Sequence, residues 1–354
     1  MKHRFSTKYA ILPLGIALFL IFGCVPNKEP TVNELLQRGL TSLSYFFDKN
    51  TSNIQHIDAH ISSTYRPGDS LYQPLLDFQN GRLDRAIPRL KSLSKDGNAD
   101  AMYWYANHLM RVSVKSRLDG YKWFEKSAKL GNPYSAMMLD SANETCRTYF
   151  GSLCEAIWGE TSGQLLRERA KQGDIRARYY LEKPKDPFIR KNFKKWTSLI
   201  EEAAKENFFS PVMELISVYE NPNKLNKEQM DDLRSILTLM ANRNFVPAYD
   251  RLYVYSDYQT TDDEAIKLGS KAQLTDRALE CGEISSELSE SDLIDCLSKG
   301  YAIKEVYNDS LPLRFIYKPE QSEVIEKAKF KSTEFIKSMT PMIYIDEMHV
   351  DGFY

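Results

Sequence analysis

The chain has 354 residues, with 47 Lys and Arg against 48 Asp and Glu, 42% apolar and 27% charged residues. This composition describes a folded body, long enough for two ordinary domains or one elongated array. The formal charge of −1 excludes a bulk nucleic-acid binder, because no basic excess is present to neutralise phosphates.

Residues 1–9 carry Lys2, Arg4 and Lys8 and no acid, and an apolar run from Ala10 to Phe22 follows. The run is short for a bilayer span and has the shape of a secretory signal. It ends Ile21-Phe22-Gly23-Cys24, which resembles the lipobox of bacterial lipoproteins. The resemblance implies cleavage after residues 1–23 and lipidation of Cys24. Because Val25 rather than Asp follows the cysteine, it also implies an outer-membrane anchor facing the periplasm. Cleavage takes three of the 47 basic residues and none of the 48 acidic ones, which moves the net charge from −1 to −4. Residues 24–33 then read as a polar tether.

Four cysteines remain, in two local pairs: Cys146 with Cys154, and Cys281 with Cys296. An oxidising compartment lets such pairs become structural disulfides, and the adjacent pairing is one of three that the sequence allows. A zinc site needs Cys-x₂₋₄-Cys spacing, which neither pair has.

Helical patterns run over 34–48 and 69–80, separated by Arg66-Pro67-Gly68-Asp69, so 34–80 reads as N-terminal helices. A degenerate repeat follows over 81–255. Five copies align on Gly97, Gly131, Gly173, Asn207 and Asn244, residue types that tolerate positive φ and close a helix. Small residues precede the anchor by three positions (Ser94, Ala128, Ala170, Ala204, Ala241). Large apolar ones precede it by seven (Leu90, Phe124, Leu166, Ile200, Leu237). Small or compact residues follow by four and large ones by eight. The pattern predicts a helix ending at each anchor, a turn, and a second helix held close by the small residues. Helical hairpins of this period stack to bury their apolar faces, so the expected fold is an all-α repeat solenoid.

The stretch from Asp119 to Asp140 resembles the Sel-one-like repeat, a relative of the tetratricopeptide repeat, through Trp123, Phe124, Ser127, Ala128, Gly131, Ser135 and Leu139. The glycine-rich loop that the family places inside each repeat is absent. Anchor spacings are 34, 42, 34 and 37, and the extra length of the second interval falls on Cys146–Cys154, the expected pin of an enlarged connection. Residues 256–354 read as a divergent cap. Helices are expected over 262–280, 290–299 and 320–338, with a small hairpin or added strand from 311–317 and 342–354.

Chemistry is sparse. His56 and His60 share a helical spacing, but no Glu follows His56, so no zinc-protease pattern results. No phosphate-cradling glycine loop and no nucleophile elbow is present. No catalytic residue, metal ligand or cofactor is therefore assigned. Aromatic residues crowd the first three repeats. Most fill the core, but Tyr103 and Trp104 flank a core position, so one of them is expected to face outward. Tyr103, Trp104, Tyr121 and Tyr134 are the candidate partner-binding residues, because exposed aromatics are natural hot spots. The resemblance implies a non-enzymatic lipoprotein that binds a protein partner. Two kinds of partner are expected. One is a secreted antibacterial effector, such as a type VI phospholipase, neutralised by an immunity protein. The other is an envelope complex served by a scaffold or assembly factor. An envelope-polymer hydrolase is the third reading.

Overall fold

A computed structural model describes residues 30–50, 58–218, 225–255, 269–316 and 322–352. The lipobox, Cys24 and His56 lie outside the described residues. Among those described there are 17 α-helices and no strand, so the chain is all-α.

Helix α1 (Val32–Asn50) and α2 (Tyr72–Gln79) precede five helical hairpins. The first hairpin is α3 (Leu83–Lys95) with α4 (Ala99–Val112), and the second α5 (Arg117–Lys129) with α6 (Pro133–Leu139). Helix α7 (Glu144–Phe150) lies in the connection to the third, which is α8 (Ile157–Lys171) with α9 (Ile175–Glu182). The fourth is α10 (Arg190–Lys205) with α11 (Ser210–Ser217), and the fifth α12 (Lys227–Ala241) with α13 (Val246–Tyr255).

Every hairpin turns at its expected anchor. Gly97, Gly131 and Gly173 have φ of 94°, 96° and 92°, and Asn207 and Asn244 have 60° and 58°. In each turn the amide after the anchor donates back to a carbonyl five residues earlier: Asn98 to Leu93, Asn132 to Ser127, Asp174 to Arg169, Phe208 to Ala203, and Phe245 to Met240. The anchor amide closes an inner bond, as Gly131 does to Ala128. This paired pattern satisfies carbonyls that a helix end otherwise leaves open, and it requires a left-handed residue at the anchor. In the first three turns the residue after the anchor also caps the next helix. Asn98 accepts from Ala101 N at 2.8 Å, Asn132 from Ser135 N at 2.7 Å, and Asp174 from Arg176 N at 2.9 Å. Phe208 and Phe245 occupy this place in the last two turns and pack into the core instead.

The columns flanking the anchors lie largely in the core. Ser94, Ala128, Ala204 and Ala241 are buried among the small residues, and Leu90, Phe124, Leu166, Ile200 and Leu237 among the large. Close approach of α4 and α5 depends on Gly120, where an added Cβ would lie 3.0 Å from the Ala106 carbonyl oxygen.

Two principal cores result. One gathers α2 to α9 around Leu75, Tyr103, Trp104 and Phe124. The other gathers α10 to α13 around Trp196, Ile200, Leu215 and Leu237. Helix α1 packs on α10 and α12 rather than on α3, and covers the second core with Leu36, Leu40, Leu43 and Phe47.

Beyond the hairpins stand α14 (Lys271–Glu283), α15 (Glu290–Tyr307), α16 (Pro312–Phe315) and α17 (Ser322–Ser338), with small cores of their own. Cys281 and Cys296 join α14 to α15 at a Cα separation of 5.8 Å, and Cys146 and Cys154 join across the α7 connection at 6.0 Å. Both adjacent pairs expected from the sequence are thus brought to disulfide distance. The strand expected over 311–317 is instead the short helix α16, which Pro312 begins at a position where its missing amide costs nothing. The strand expected over 342–354 is also absent from the described residues. Residues 339–345 are extended and run back between the two principal cores, and residues 346–352 then form turns around a single isolated bridge between Asp346 and His349.

Three stability outcomes follow. Gly131→Ala, which forces a side chain into a left-handed turn, should cost about 1 kcal/mol in chemical denaturation. Asn207→Gly, at the same turn position, should be neutral or slightly stabilising. Joint replacement of Cys146 and Cys154 by Ser should lower stability by about 2–3 kcal/mol under oxidising conditions.

Candidate functional site

The candidate site is the groove that receives residues 341–351. It is built from the second helices of four successive hairpins, from α2 and from the loop before α2. Three positions after the anchors stand Asp100, Tyr134, Arg176 and Ser210, one from each of α4, α6, α9 and α11. Six or seven positions after stand Tyr103, Tyr179, Tyr180 and Glu214. These positions share one helical face with their +3 neighbours, so the turn geometry that stacks the hairpins also lines up a polar wall.

Side chains of the groove grip the main chain of the segment. Gln79 donates to the Met342 carbonyl at 3.0 Å and accepts from the Tyr344 and Ile345 amides at 2.8 and 3.3 Å. Thr64 N donates to the Ile343 carbonyl at 2.8 Å, and Ile343 N donates to Ser63 Oγ at 2.9 Å. Tyr72 donates to the Pro341 carbonyl at 2.8 Å, and Tyr103 donates to that of Glu347. The segment's own side chains then divide. Met342 enters the core of α10 to α13, whereas Ile343 and Ile345 enter that of α2 to α9.

Past Ile345 the groove turns ionic. Glu347 is 4% exposed, pairs with Arg176 at 3.1 Å and accepts from Tyr65 at 2.7 Å. The Arg176 guanidinium also lies over the Tyr65 ring, 5.6 Å from its centroid. Asp346 is 1% exposed and accepts from Ser210 at 3.0 Å and from Tyr180 at 3.3 Å. His349 joins Asp346 through Nδ1 at 3.1 Å and Glu214 through Nε2 at 3.3 Å. Glu214 in turn binds Lys183 and accepts from Tyr179 at 2.7 Å. Arg111 closes the far end on Asp351 at 2.7 Å.

Burial raises the Glu347 carboxyl, and the opposing pull of Arg176 does not fully offset it. Burial also acts to raise Asp346, but the adjacent His349 and Arg176 prevail and hold it below the usual carboxylate range. For His349 burial lowers the pKa, yet Asp346 and Glu214 outweigh it and carry it to about 9. Fully burying three apolar side chains contributes about 5–9 kcal/mol. Desolvating each carboxylate costs several kcal/mol unless a cation meets it. The two magnitudes are comparable, so Arg176 and His349 decide whether the segment stays seated.

Of the expected partner-binding residues, Tyr103 and Trp104 are 1% and 0% exposed, against the expectation that one faces outward. The reason is that α4 lies between α2, α3, α5 and the segment, which covers the face a bare hairpin would leave open. Tyr134 is also buried, edge-on to Tyr180 at 6.0 Å, and its hydroxyl has no hydrogen-bond partner. Tyr121 lies apart from them, half-buried against Phe150 and donating to the Leu153 carbonyl at 3.1 Å beside the Cys146–Cys154 link. The groove therefore gathers Tyr103 and Tyr134, while Trp104 packs behind it and Tyr121 braces the α7 connection. Sequence reading missed Arg176, Ser210, Glu214 and the segment itself. The column three places after the anchors, polar in its first four members, was the available signal.

A second concavity of about 980 Å³ opens between α2, α13, α14, α15, α17 and the start of the segment. Asp250 lines it, accepts from Ser270 at 2.5 Å, and is raised by burial to about 6. No group of three His, Cys, Asp or Glu side chains placed to hold a metal occurs among the described residues. No helix among them is long and apolar enough to cross a membrane. No known family model matches the chain, and no curated protein or solved structure does.

Two outcomes test this geometry. Arg176→Met should cost about 3–5 kcal/mol in denaturant unfolding, because it leaves the buried Glu347 carboxylate unpaired. The His349 pKa is raised above its ordinary 6.5, so the stability its charge contributes is complete below about pH 6.5 and lost as the pH rises through about 9. The melting temperature should fall between pH 7 and pH 10, and His349→Gln should flatten that fall.

Proposed function

We propose that this chain is a non-enzymatic, periplasm-facing outer-membrane lipoprotein, anchored through Cys24, that binds another protein. Its five hairpins would form a Sel-one-like, tetratricopeptide-like solenoid. One observation carries the binding reading: α2, the loop before it and α4 hold an extended polypeptide through its main chain, as Gln79 does with Met342, Tyr344 and Ile345 and Tyr103 with Glu347. A surface that grips backbone groups in extended form accepts peptide from any source that fits its pockets. The charged side chains of the groove support binding rather than catalysis. Arg176, Glu214 and Asp346 are each engaged in ion pairs within the protein.

The partner is a secreted antibacterial effector, such as a type VI phospholipase, which the chain neutralises, or an envelope component that it helps assemble. The same surface serves both. Crosslinking on intact envelopes followed by affinity capture should recover a protein partner, and recovery of none rejects the binding reading. Periplasmic expression of an effector encoded next to this gene, with and without the protein, separates the two roles, since only an immunity protein restores growth. Cys24→Ala should release the protein from the membrane and block maturation. Unchanged membrane fractionation would reject the lipid anchor.

A further inference from the structure

We propose that the groove holding residues 342–349 is an exchangeable peptide receptor. In place of the resident segment it would take an extended partner segment in which alternating apolar residues precede two adjacent carboxylates. The inference rests on the binding reading above and names the chemistry of the partner.

Four features support it. First, the resident segment is held as a ligand is held. Its carbonyls and amides are met by side chains of Gln79, Ser63, Tyr72 and Tyr103 and by the single Thr64 amide, not by a strand ladder. Such contacts read extended backbone and leave side-chain identity to the pockets. Second, the pockets impose a pattern. Ile343 and Ile345 enter one core at alternate positions, and the next two residues present carboxylates to Arg176 and Ser210. Third, a permanent core of this size is filled more cheaply by apolar residues, whereas two buried carboxylates and an arginine suit a junction that must recognise and release. Fourth, the groove offers a donor that the resident does not use. The Tyr134 hydroxyl is buried without a hydrogen-bond partner, and its ring stands edge-on to Tyr180, which itself reaches Asp346. A segment with one more acceptor at this point would be held better than the resident.

The test uses the full chain. A fluorescent peptide spanning residues 340–352 is titrated onto the wild-type protein and onto Glu347→Gln, with anisotropy as the readout. The resident competes in the wild type, so Glu347→Gln, whose own segment is weakened, should bind the peptide at least tenfold more tightly. A peptide with Asn and Gln in place of Asp346 and Glu347 should lose binding at least tenfold. Equal binding by wild type and variant, or by acidic and neutral peptides, overturns the proposal. A variant that failed to fold would leave a second measurement. In native-state hydrogen exchange of the wild type, the Tyr344 and Ile345 amides should exchange at least tenfold faster than the Met102 amide inside α4. Exchange of all three only through global unfolding would make the segment a fixed part of the core and overturn exchangeability. Recovery of an envelope partner alongside a negative peptide titration would leave the binding reading standing and remove this one.

Discussion

The Arg176–Glu347 ion pair is the constraint on which the rest of the architecture turns. A carboxylate at 4% exposure is tolerable only where a cation meets it, and Arg176 meets it because α9 starts from a capped turn three residues earlier. With Glu347 fixed there, the residues before it must run along the inner wall. Met342 then points into one principal core, and Ile343 and Ile345 into the other. The segment thus adds a bridge between the two bodies of hairpins beside their direct contact, where α9 meets α10 and Lys183 pairs with Glu214. The segment is part of the structure and also the occupant of its most polar groove.

The five hairpin turns keep one geometry on diverging sequence. Five turns share the same double hydrogen-bond closure, whether Gly or Asn stands at the anchor. Asn pays a modest strain for a left-handed φ, which its short polar side chain tolerates. The last two turns also lose the capping side chain, with Phe208 and Phe245 at that place. Those aromatic rings pack into the core that α1 covers. Local capping gives way to burial there, and α1, the first helix described, packs on these last two hairpins.

Much of this was legible in residue order. The anchors, the small and large columns beside them and the adjacent cysteine pairs all follow from local rules about φ, helix contact and loop length. The errors have two origins. The segments 311–317 and 342–354 carry aromatic and β-branched residues, which read as strand when only propensity is available. Pro312 starts a helix at the first, and the second finds no partner strand, only a groove. Tyr103 and Trp104 read as partly exposed because a single hairpin has an open face. That face is closed by a segment more than 200 residues away in the chain, which no periodicity in the repeat announces.

The sequence by itself determined the hairpin helices, the five turns and their spacing, because helix period, left-handed tolerance and capping act within a few residues. Only the tertiary structure decided which helix faces are buried, where α1 docks, and that residues 341–351 run between the two principal cores. Those outcomes depend on how much apolar surface and how many buried charges find partners at long range. Arg176 and Glu347 lie 171 residues apart, and nothing in the order of the residues between them specifies that they meet.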